Sequence, residues 1–219
     1  MLTLHGFDVS NYYNMIKLAL AYKGIEYTKN TVYPNQRPEF LALSPMGKVP
    51  ALETPQGTLC ETSVILEYLD TLYPENPIYP SDNFAKAKVK ELVKMCELYI
   101  ELPARRCHPE AFFGQAVNEL TKKEVKRALF KGMEGLCRTA KFGPFLAGSE
   151  FSAADIMFLY SADLASVVAQ KCFDVDLLAL APGAKELLAL LAENPHVQKI
   201  AEDRKAGNIA FKKYIASLS

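Results

Sequence analysis

Residues 38–55 of the chain are PEFLALSPMGKVPALETP, and their succession of helix, turn and strand signals indicates the surrounding architecture. Pro38–Leu43 has helical spacing with a proline in its first turn, where helices tolerate it. Val49–Thr54 has the character of a strand, although Pro50 cannot donate a ladder hydrogen bond. Two interpretations are open: an ordinary trans proline on an edge strand, or a cis bond that turns the N–H and C=O of Val49 towards a ligand.

The segments on either side of this run alternate between strand and helix signals. Before it come a strand at Leu2–His5, a helix at Tyr13–Tyr22 and a strand at Tyr27–Val32, which form a βαβ unit with parallel strands. After it, Thr58–Cys60 pairs back as a hairpin strand, and Ser63–Leu72 forms a helix. The order βαβ-α-ββα predicts an α/β domain with a mixed four-stranded sheet and helices on both faces.

A proline-rich segment separates this part of the chain from a helical remainder. Tyr73–Asp82 contains three prolines and no periodicity, so the linker is predicted at residues 74–85. Beyond it, apolar residues recur at helical spacing in Lys86–Phe113, Thr121–Phe142, Ser152–Gln170, Val175–Glu193 and Pro195–Ala216. The predicted domains are therefore residues 1–80, with the sheet, and residues 81–219, an all-α helical bundle.

The composition argues against several classes of function. The 25 Lys and Arg residues balance the 25 Asp and Glu residues, so neither a nucleic acid nor a membrane is expected as a partner. The five cysteines include no CxxC pair and the three histidines lie near no cysteine cluster, so we expect no disulfide framework and no metal. The first residues do not resemble a signal peptide, and a cytoplasmic protein is expected.

Glu61-Thr62-Ser63 follows a strand and begins a helix, where backbone N–H groups attract negative charge. The Thr62 hydroxyl and N–H can hold a carboxylate, and Glu61 can bind an adjacent ammonium group. Simple N-capping by Thr62 or Ser63 is the other interpretation, and the two roles can coexist.

Ser10-Asn11-Tyr12-Tyr13 lies between the first strand and the first helix, at the carboxyl end of a strand, where ligands collect. A hydroxyl at this position can donate to a bound thiolate and lower the pKa of the thiol. The alternative is that Ser10 only caps the helix. A thiolate donor, a backbone clamp and a carboxylate site thus follow one another in chain order on one edge of the predicted sheet.

The chain resembles the cytosolic glutathione transferases over its whole length. The resemblance rests on PEFLALSPMGKVPAL at 38–52, ETSVILEYL at 61–69 and GPFLAGSEFSAADI at 143–156. In the last of these, Ser152 and Asp155 form an S-x-x-D capping box, which is a folding element. The resemblance implies a thioredoxin-like glutathione-binding N-terminal domain and an all-helical C-terminal domain, of a serine-type or unclassified bacterial-like class.

The resemblance also implies roles for individual residues. The residues implied to bind glutathione are Gln36, Lys48, Val49, Pro50, Glu61, Thr62 and Ser63. Within this set, Pro50 is the cis proline and Val49 bonds the cysteinyl unit through its backbone. Ser10 aligns with the catalytic residue of several classes, and its rivals as thiolate donor are Asn11, Tyr12 and Tyr13.

The implied reaction is conjugation of glutathione, as co-substrate, to a small hydrophobic electrophile, in the service of detoxification. The electrophile is expected in a pocket that includes Tyr99, Leu102 and Arg106. Glutathione-dependent peroxide reduction or isomerisation at the same site is an alternative, and a non-catalytic binding or scaffold protein is another. A homodimer is the assembly that the resemblance implies.

Overall fold

A computed structural model describes residues Met1–Ser217. Its sheet has the strand order β2-β1-β3-β4, formed by β1 (Thr3–Gly6), β2 (Thr28–Thr31), β3 (Ala51–Thr54) and β4 (Gly57–Cys60). β1 is parallel to β2 and antiparallel to β3, and β3 is antiparallel to β4. The predicted mixed four-stranded sheet is therefore confirmed.

The rest of the described chain is mostly helical, as predicted. The helices are α1 (Asn11–Tyr22), α2 (Pro38–Leu41), α3 (Thr62–Leu72), α4 (Asn83–Cys96), α5 (Leu102–Arg105), α6 (His108–Phe113), α7 (Glu119–Thr139), α8 (Ala153–Phe173), α9 (Ala184–Ala192) and α10 (Pro195–Ala216). A π-helical turn at Glu97–Glu101 follows α4, and a 3₁₀ turn at Leu177–Leu180 precedes α9.

The described chain forms two compact units. One contains Met1–Pro77 together with the chain from Ala192 onward, so α10 belongs with the sheet, and the other is Ile78–Leu191. The domain limits of 1–80 and 81–219 stay a prediction, and the compact units differ from them by grouping the last helix with the sheet.

The core of the sheet unit is formed by apolar side chains of the inner strands and of α1 and α3, which contact each other. Leu4, Leu52 and Ile65 are all 0% exposed, and each such side chain contributes about 1.5–3 kcal/mol to stability. Gly6 lets α1 lie close to β1, because a Cβ at Gly6 would lie 2.3 Å from a ring carbon of Tyr13.

The helix predicted at Lys86–Phe113 is divided into α4, the π turn, α5 and α6. Pro103 has no N–H to offer the C=O of Tyr99 four residues earlier, and the helix widens there into hydrogen bonds that span five residues. Gly132 of α7 lies against this carbonyl, since a Cβ at Gly132 would lie 2.3 Å from Tyr99 O. Apolar spacing across residues 86–113 does not reveal the division at Pro103, because that spacing continues through the proline.

The helix predicted at Val175–Glu193 is also divided. The 3₁₀ turn and α9 are separated by Pro182 and Gly183. Gly183 has a φ of +91°, a conformation that side chains rarely adopt and that a helix does not contain.

α8 is the central helix of the unit Ile78–Leu191, where it contacts α4, α5, α6 and α7. By length and composition alone it could cross a membrane, but 56% of its apolar window is buried inside the protein. Neighbours on several sides account for its apolar character, which is that of a core helix.

The predicted capping box begins α8 and is confirmed. The Ser152 Oγ accepts from the N–H of Ala154 at 3.3 Å, and Asp155 Oδ2 accepts from the N–H and the Oγ–H of Ser152 at 2.8 and 2.9 Å. Asp155 Oδ1 accepts from the N–H of Leu146 at 2.7 Å and so ties the preceding loop to the helix. Burial raises the pKa of the Asp155 carboxyl, although these hydrogen bonds favour its charged form.

Replacing Asp155 with Asn should lower the free energy of unfolding by about 2 kcal/mol, because an NH₂ group replaces one acceptor oxygen and leaves a buried N–H without a partner. Urea denaturation followed by circular dichroism measures the change. The control Glu150→Gln makes the same chemical change on an exposed side chain and should alter stability by less than about 0.5 kcal/mol. Equal unfolding midpoints for the two variants would contradict this role of Asp155.

Candidate functional site

The register of the sheet brings three connecting segments to one edge. His5 of β1 pairs with Ala51 at the start of β3, and Ala51 pairs with Cys60 at the end of β4. The loop after β1, the loop before β3 and the turn after β4 therefore leave the sheet side by side. These segments contain the three sequence features predicted to meet a ligand.

The loop before β3 is held by the side chain of Ser44. Its buried Oγ donates to the Lys48 C=O at 2.7 Å and accepts from the Lys48 N–H at 3.1 Å. Gly47 has a φ of +62°, and a Cβ at Gly47 would lie 2.3 Å from the carbonyl oxygen of Asn35. The backbone is thus fixed immediately before the Val49–Pro50 peptide bond, which is cis.

The remaining predicted residues of this loop differ in exposure. Pro50 is buried and Val49 is half-buried, whereas Lys48 and Gln36 are exposed. The Gln36 Nε2 donates to the C=O of Met46 at 3.4 Å, which places its amide beside the loop. Both exposed polar side chains are thus open to a solute that reaches the loop.

The turn from β4 into α3 has an unusual backbone. Glu61 has φ 65° and ψ 115°, a left-handed φ that residues other than glycine rarely adopt and that is often found at ligand sites. Glu61 is the N-cap of α3, its side chain is exposed and it makes no capping hydrogen bond. Thr62 and Ser63 lie inside the first turn and are 4% and 6% exposed, so the interpretation of either residue as a simple N-cap is wrong.

Ser10 is the N-cap of α1. Its Oγ accepts from the N–H of Tyr13 at 3.4 Å, and its own N–H donates to the C=O of Phe7 at 3.0 Å. The capping bond uses a lone pair of the oxygen and leaves the O–H proton for another acceptor. Capping and donation to a ligand are therefore compatible at the half-buried Ser10.

The rival residues in the same loop have different surroundings. Tyr13 and Asn11 are 2% and 4% exposed, whereas Tyr12 is half-buried. Burial raises the pKa of the Tyr13 hydroxyl far above its ordinary value, and the nearby Tyr27 adds to this effect. Ser10 and Tyr12 are thus the partly exposed hydroxyl groups of this loop.

The protein's own cysteines are poorly suited to act as nucleophiles. Burial raises the pKa of all five thiols, to about 11 at Cys107. Cys60 lies nearest the site in sequence, and its S–H donates to the C=O of Leu43 at 3.5 Å. Within Met1–Ser217, no group of three or more His, Cys, Asp or Glu side chains could hold a metal ion.

The residues predicted to contact a second substrate lie in the unit Ile78–Leu191. Tyr99 and Leu102 are 52% and 44% exposed. Arg106 is also exposed, and its guanidinium donates to Glu124 at 2.7 Å. Their role in substrate binding stays a prediction.

Sequence reasoning did not predict Ser44 as a site residue. The Ser-Pro-Met-Gly run at 44–47 is a visible turn signal. Which carbonyl accepts the hydrogen bond of the Ser44 hydroxyl depends on the path of the loop, and the sequence pattern does not specify that path.

The first part of the chain matches a known family. Residues 4–77 match the model of the family described as glutathione S-transferase, N-terminal domain. The chain is also 49% identical over 217 residues to a glutathione S-transferase of Pseudomonas putida, with 99% of each chain covered.

Two further similarities are more distant. Maleylacetoacetate isomerase of Dictyostelium discoideum is 26% identical over 151 residues, which cover 64% of this chain and 68% of that protein. A crystal structure of a glutathione transferase homologue from Sulfitobacter with bound glutathione is similar with a TM-score of 0.72, at 19% identity, over 92% of this chain and 97% of that one. The second similarity concerns the fold.

Replacing Ser44 with Ala should lower the free energy of unfolding by about 1–3 kcal/mol, because it removes the hydrogen-bond partner of both backbone groups of Lys48. Urea denaturation measures the loss. The control is Thr71→Ala, which removes an exposed hydroxyl that donates to the C=O of Glu67 at 2.8 Å and should change stability by less than about 0.5 kcal/mol. A Ser44→Ala variant as stable as this control would show that the loop does not need the hydroxyl.

Proposed function

The chain belongs to the glutathione S-transferase family, and we propose that it binds glutathione at this edge of the sheet and transfers its sulfur to an electrophilic carbon. The observation that carries the proposal is the row of paired residues His5, Ala51 and Cys60, beyond which the three polar segments leave the sheet together. The identity of 49% to a glutathione S-transferase supports it.

In the proposed complex, the middle of glutathione pairs with the backbone of Val49 as an added strand. The hydrogen bonds between Ser44 and Lys48 support this role, since a backbone that is already held in one conformation loses little entropy when a peptide binds. The exposed Lys48 and Gln36 are proposed to meet the glycyl carboxylate. An ammonium group and an amide at the surface suit that group by charge and hydrogen bonding.

The γ-glutamyl end of glutathione carries an ammonium and a carboxylate on one carbon, and we assign it to the start of α3. The carboxylate suits the positive end of the helix, with Thr62 and Ser63 in its first turn. The ammonium suits the exposed side chain of Glu61, which no capping bond occupies. Recognition by paired opposite charges would explain why a glutamate stands at a strained backbone position.

Ser10 is the proposed donor to the sulfur. A thiol pKa near 9 must fall by about two units for the thiolate to prevail near pH 7, which requires about 2.7 kcal/mol of preferential stabilisation of the anion. One hydroxyl hydrogen bond to a charged sulfur and the positive end of α1 supply energies of this order. The raised pKa values of the five cysteine thiols support glutathione as the source of the nucleophile.

The thiolate then attacks the electrophilic carbon, and a sulfur–carbon bond forms with the sulfur electron pair. The displaced pair leaves with a departing group, or takes up a proton from solvent if the carbon belonged to an activated double bond. We assign the hydrophobic second substrate to Tyr99, Leu102 and Arg106. Exposed apolar surface at the first two residues supports this assignment.

Family membership further supports a cytoplasmic homodimer that acts in detoxification, with domains at residues 1–80 and 81–219. The proposed reaction uses glutathione and the electrophile as its substrates.

Glutathione-dependent isomerisation is the second candidate, and the similarity to a maleylacetoacetate isomerase favours it. The same thiolate would add to a conjugated double bond, and its departure after rotation would regenerate glutathione. Only the fate of the adduct differs, so product analysis with a cis-alkene acid and with an aryl halide separates the two reactions. A protein that binds glutathione but turns over neither substrate class, nor hydroperoxides, would instead act as a binding module.

Replacing Ser10 with Ala should lower kcat for conjugation by about 10²–10³-fold, the cost of losing one hydrogen-bond donor to a reacting anion. Affinity for glutathione, measured by isothermal titration calorimetry, should change little because the clamp lies on other segments. The control Ser81→Ala removes a surface hydroxyl and should keep the wild-type rate. An unchanged rate for Ser10→Ala would contradict the role of Ser10 and would indicate Tyr12 as the donor.

Replacing Glu61 with Gln should weaken glutathione binding by about 1–3 kcal/mol, because the charge that pairs with the ammonium is lost while the size of the side chain is kept. Calorimetric titration of the wild type and the variant measures the difference. S-methylglutathione, which keeps the γ-glutamyl end, should show the same loss, whereas a peptide without the α-amino group should bind both proteins equally. A wild-type protein that binds no glutathione would falsify the proposed function.

A further inference from the structure

One face of α10 packs against the rest of the sheet unit. Its residues Ile200, Asp203, Gly207, Phe211 and Tyr214 recur every three or four positions and are buried or half-buried, as are the adjacent Arg204, Asn208 and Ile215. α10 contacts α1, whose N-cap is Ser10. The face therefore lies beside the loop that carries the proposed thiolate donor.

A buried ammonium joins this face to the loop. Lys17 of α1 is 3% exposed, and its Nζ lies 2.5 Å from Asp8 Oδ1 and 2.7 Å from Asp203 Oδ2. Asp8 stands two residues before Ser10, and Asp203 is in the third turn of α10. One cation thus bridges a carboxylate of the loop and a carboxylate of the last helix.

Asp203 is the most highly connected member of this group. It also pairs with Lys199 at 2.5 Å and with Lys29 at 3.4 Å. Burial alone would raise the pKa of its carboxyl, but hydrogen bonds from Lys17 and Lys199 hold it well below the ordinary value. Asp203 is therefore charged at neutral pH.

Three packing contacts join α10 to the loop and to the segment after β2. A Cβ at Gly207 would lie 3.0 Å from the Cβ of Asp8, which is closer than ordinary van der Waals contact, so α10 approaches the loop more closely than a larger residue would comfortably allow. Phe211 stacks on Phe7 with ring centroids 5.1 Å apart, and Tyr214 stacks on Tyr33 at 3.9 Å.

The loop is restrained from its other side by α1 itself. Asn14, which is 0% exposed, donates from Nδ2 to the C=O of Asp8 at 2.9 Å. Ser10 also donates from its N–H to the C=O of Phe7. The two hydrogen bonds hold the backbone of the segment from Phe7 to Ser10, and the ion pair with Lys17 holds the side chain of Asp8.

We propose that Lys17 and Asp203 are positioning residues, which tie α10 to Asp8 and thereby hold the Ser10 hydroxyl where it donates to the glutathione sulfur. The inference rests on the proposed function of Ser10. Buried ion pairs add little net stability because desolvation offsets their attraction, whereas their directional hydrogen bonds fix geometry. A shift of about 1 Å in a group that acts on the reacting atom costs up to about a hundredfold in rate.

The first test compares Asp203→Asn with Glu202→Gln, which makes the same change on the adjacent exposed carboxylate of α10. For Asp203→Asn we expect kcat to fall by about tenfold and the thiol pKa of bound glutathione, followed by thiolate absorbance, to rise by about one unit. The dissociation constant of glutathione should stay within about twofold, since the residues proposed to clamp glutathione lie in other segments, before β3 and after β4. Glu202→Gln should match the wild type in all three.

The second variant is Gly207→Ala, which improves helix propensity but crowds Asp8. A merely structural role predicts a change in stability alone and an unchanged thiol pKa. Positioning predicts a thiol pKa raised in the same direction as for Asp203→Asn, with the urea midpoint maintained. The control Gly135→Ala on α7 meets only the end of the Met95 side chain at 3.4 Å and should raise stability alone.

Hydrogen–deuterium exchange of residues 7–11 in the absence of glutathione keeps this inference separate from the proposed function. Exchange in that segment should be faster in Asp203→Asn than in Glu202→Gln. If the wild type bound no glutathione, the proposed function would fail together with the role of Ser10, while faster exchange would still establish the tie between α10 and the loop. Wild-type exchange and a wild-type thiol pKa in Asp203→Asn would overturn the inference.

Discussion

The pairing of β3 with both of its neighbours is the constraint on which the candidate site depends. β3 runs antiparallel to β1 and to β4, so its first residue, Ala51, stands level with His5 and Cys60. A shift of one residue in this register would turn Leu52 away from the core and would displace the loop before β3 from the turn after β4. The fully buried Leu4 and Leu52 therefore fix the core and, at the same time, the relative positions of the polar segments.

The site is built mainly from backbone groups that other residues hold in place. The Ser44 hydroxyl fixes both backbone groups of Lys48, and the chain passes through a left-handed conformation at Glu61. Ser10 caps α1 with a lone pair and keeps a proton to donate. Groups that are already oriented need no rearrangement when charge develops on a bound sulfur, and this is where most of their effect on a reaction arises.

The last helix links the stability of the sheet unit to the geometry of the loop. α10 follows the helical segment of the other unit in sequence but belongs to the compact unit of the sheet. Its contact with Asp8 runs through the buried ammonium of Lys17, and the hydrogen bonds from that ammonium to the two carboxylates are directional, as an apolar contact is not. A glycine at position 207 is consistent with this view, because it trades helix propensity for close approach.

The sequence by itself determined the strand and helix order, the mixed sheet, the capping box at Ser152 and Asp155 and the helix Pro195–Ala216, because each rests on local periodicity, turn residues or short-range hydrogen bonds. It could not determine the wide turn around Pro103, since apolar spacing continues through that residue and the freed Tyr99 carbonyl faces Gly132, a residue far along the chain. Only the tertiary structure decided three further features. They are the hydrogen bonds of Ser44 to Lys48, the burial of Tyr13 against Gly6, and the bridge from Asp8 through Lys17 to Asp203. Each joins residues whose separation in sequence carries no periodic signal, and only the folded chain brings their atoms within bonding distance.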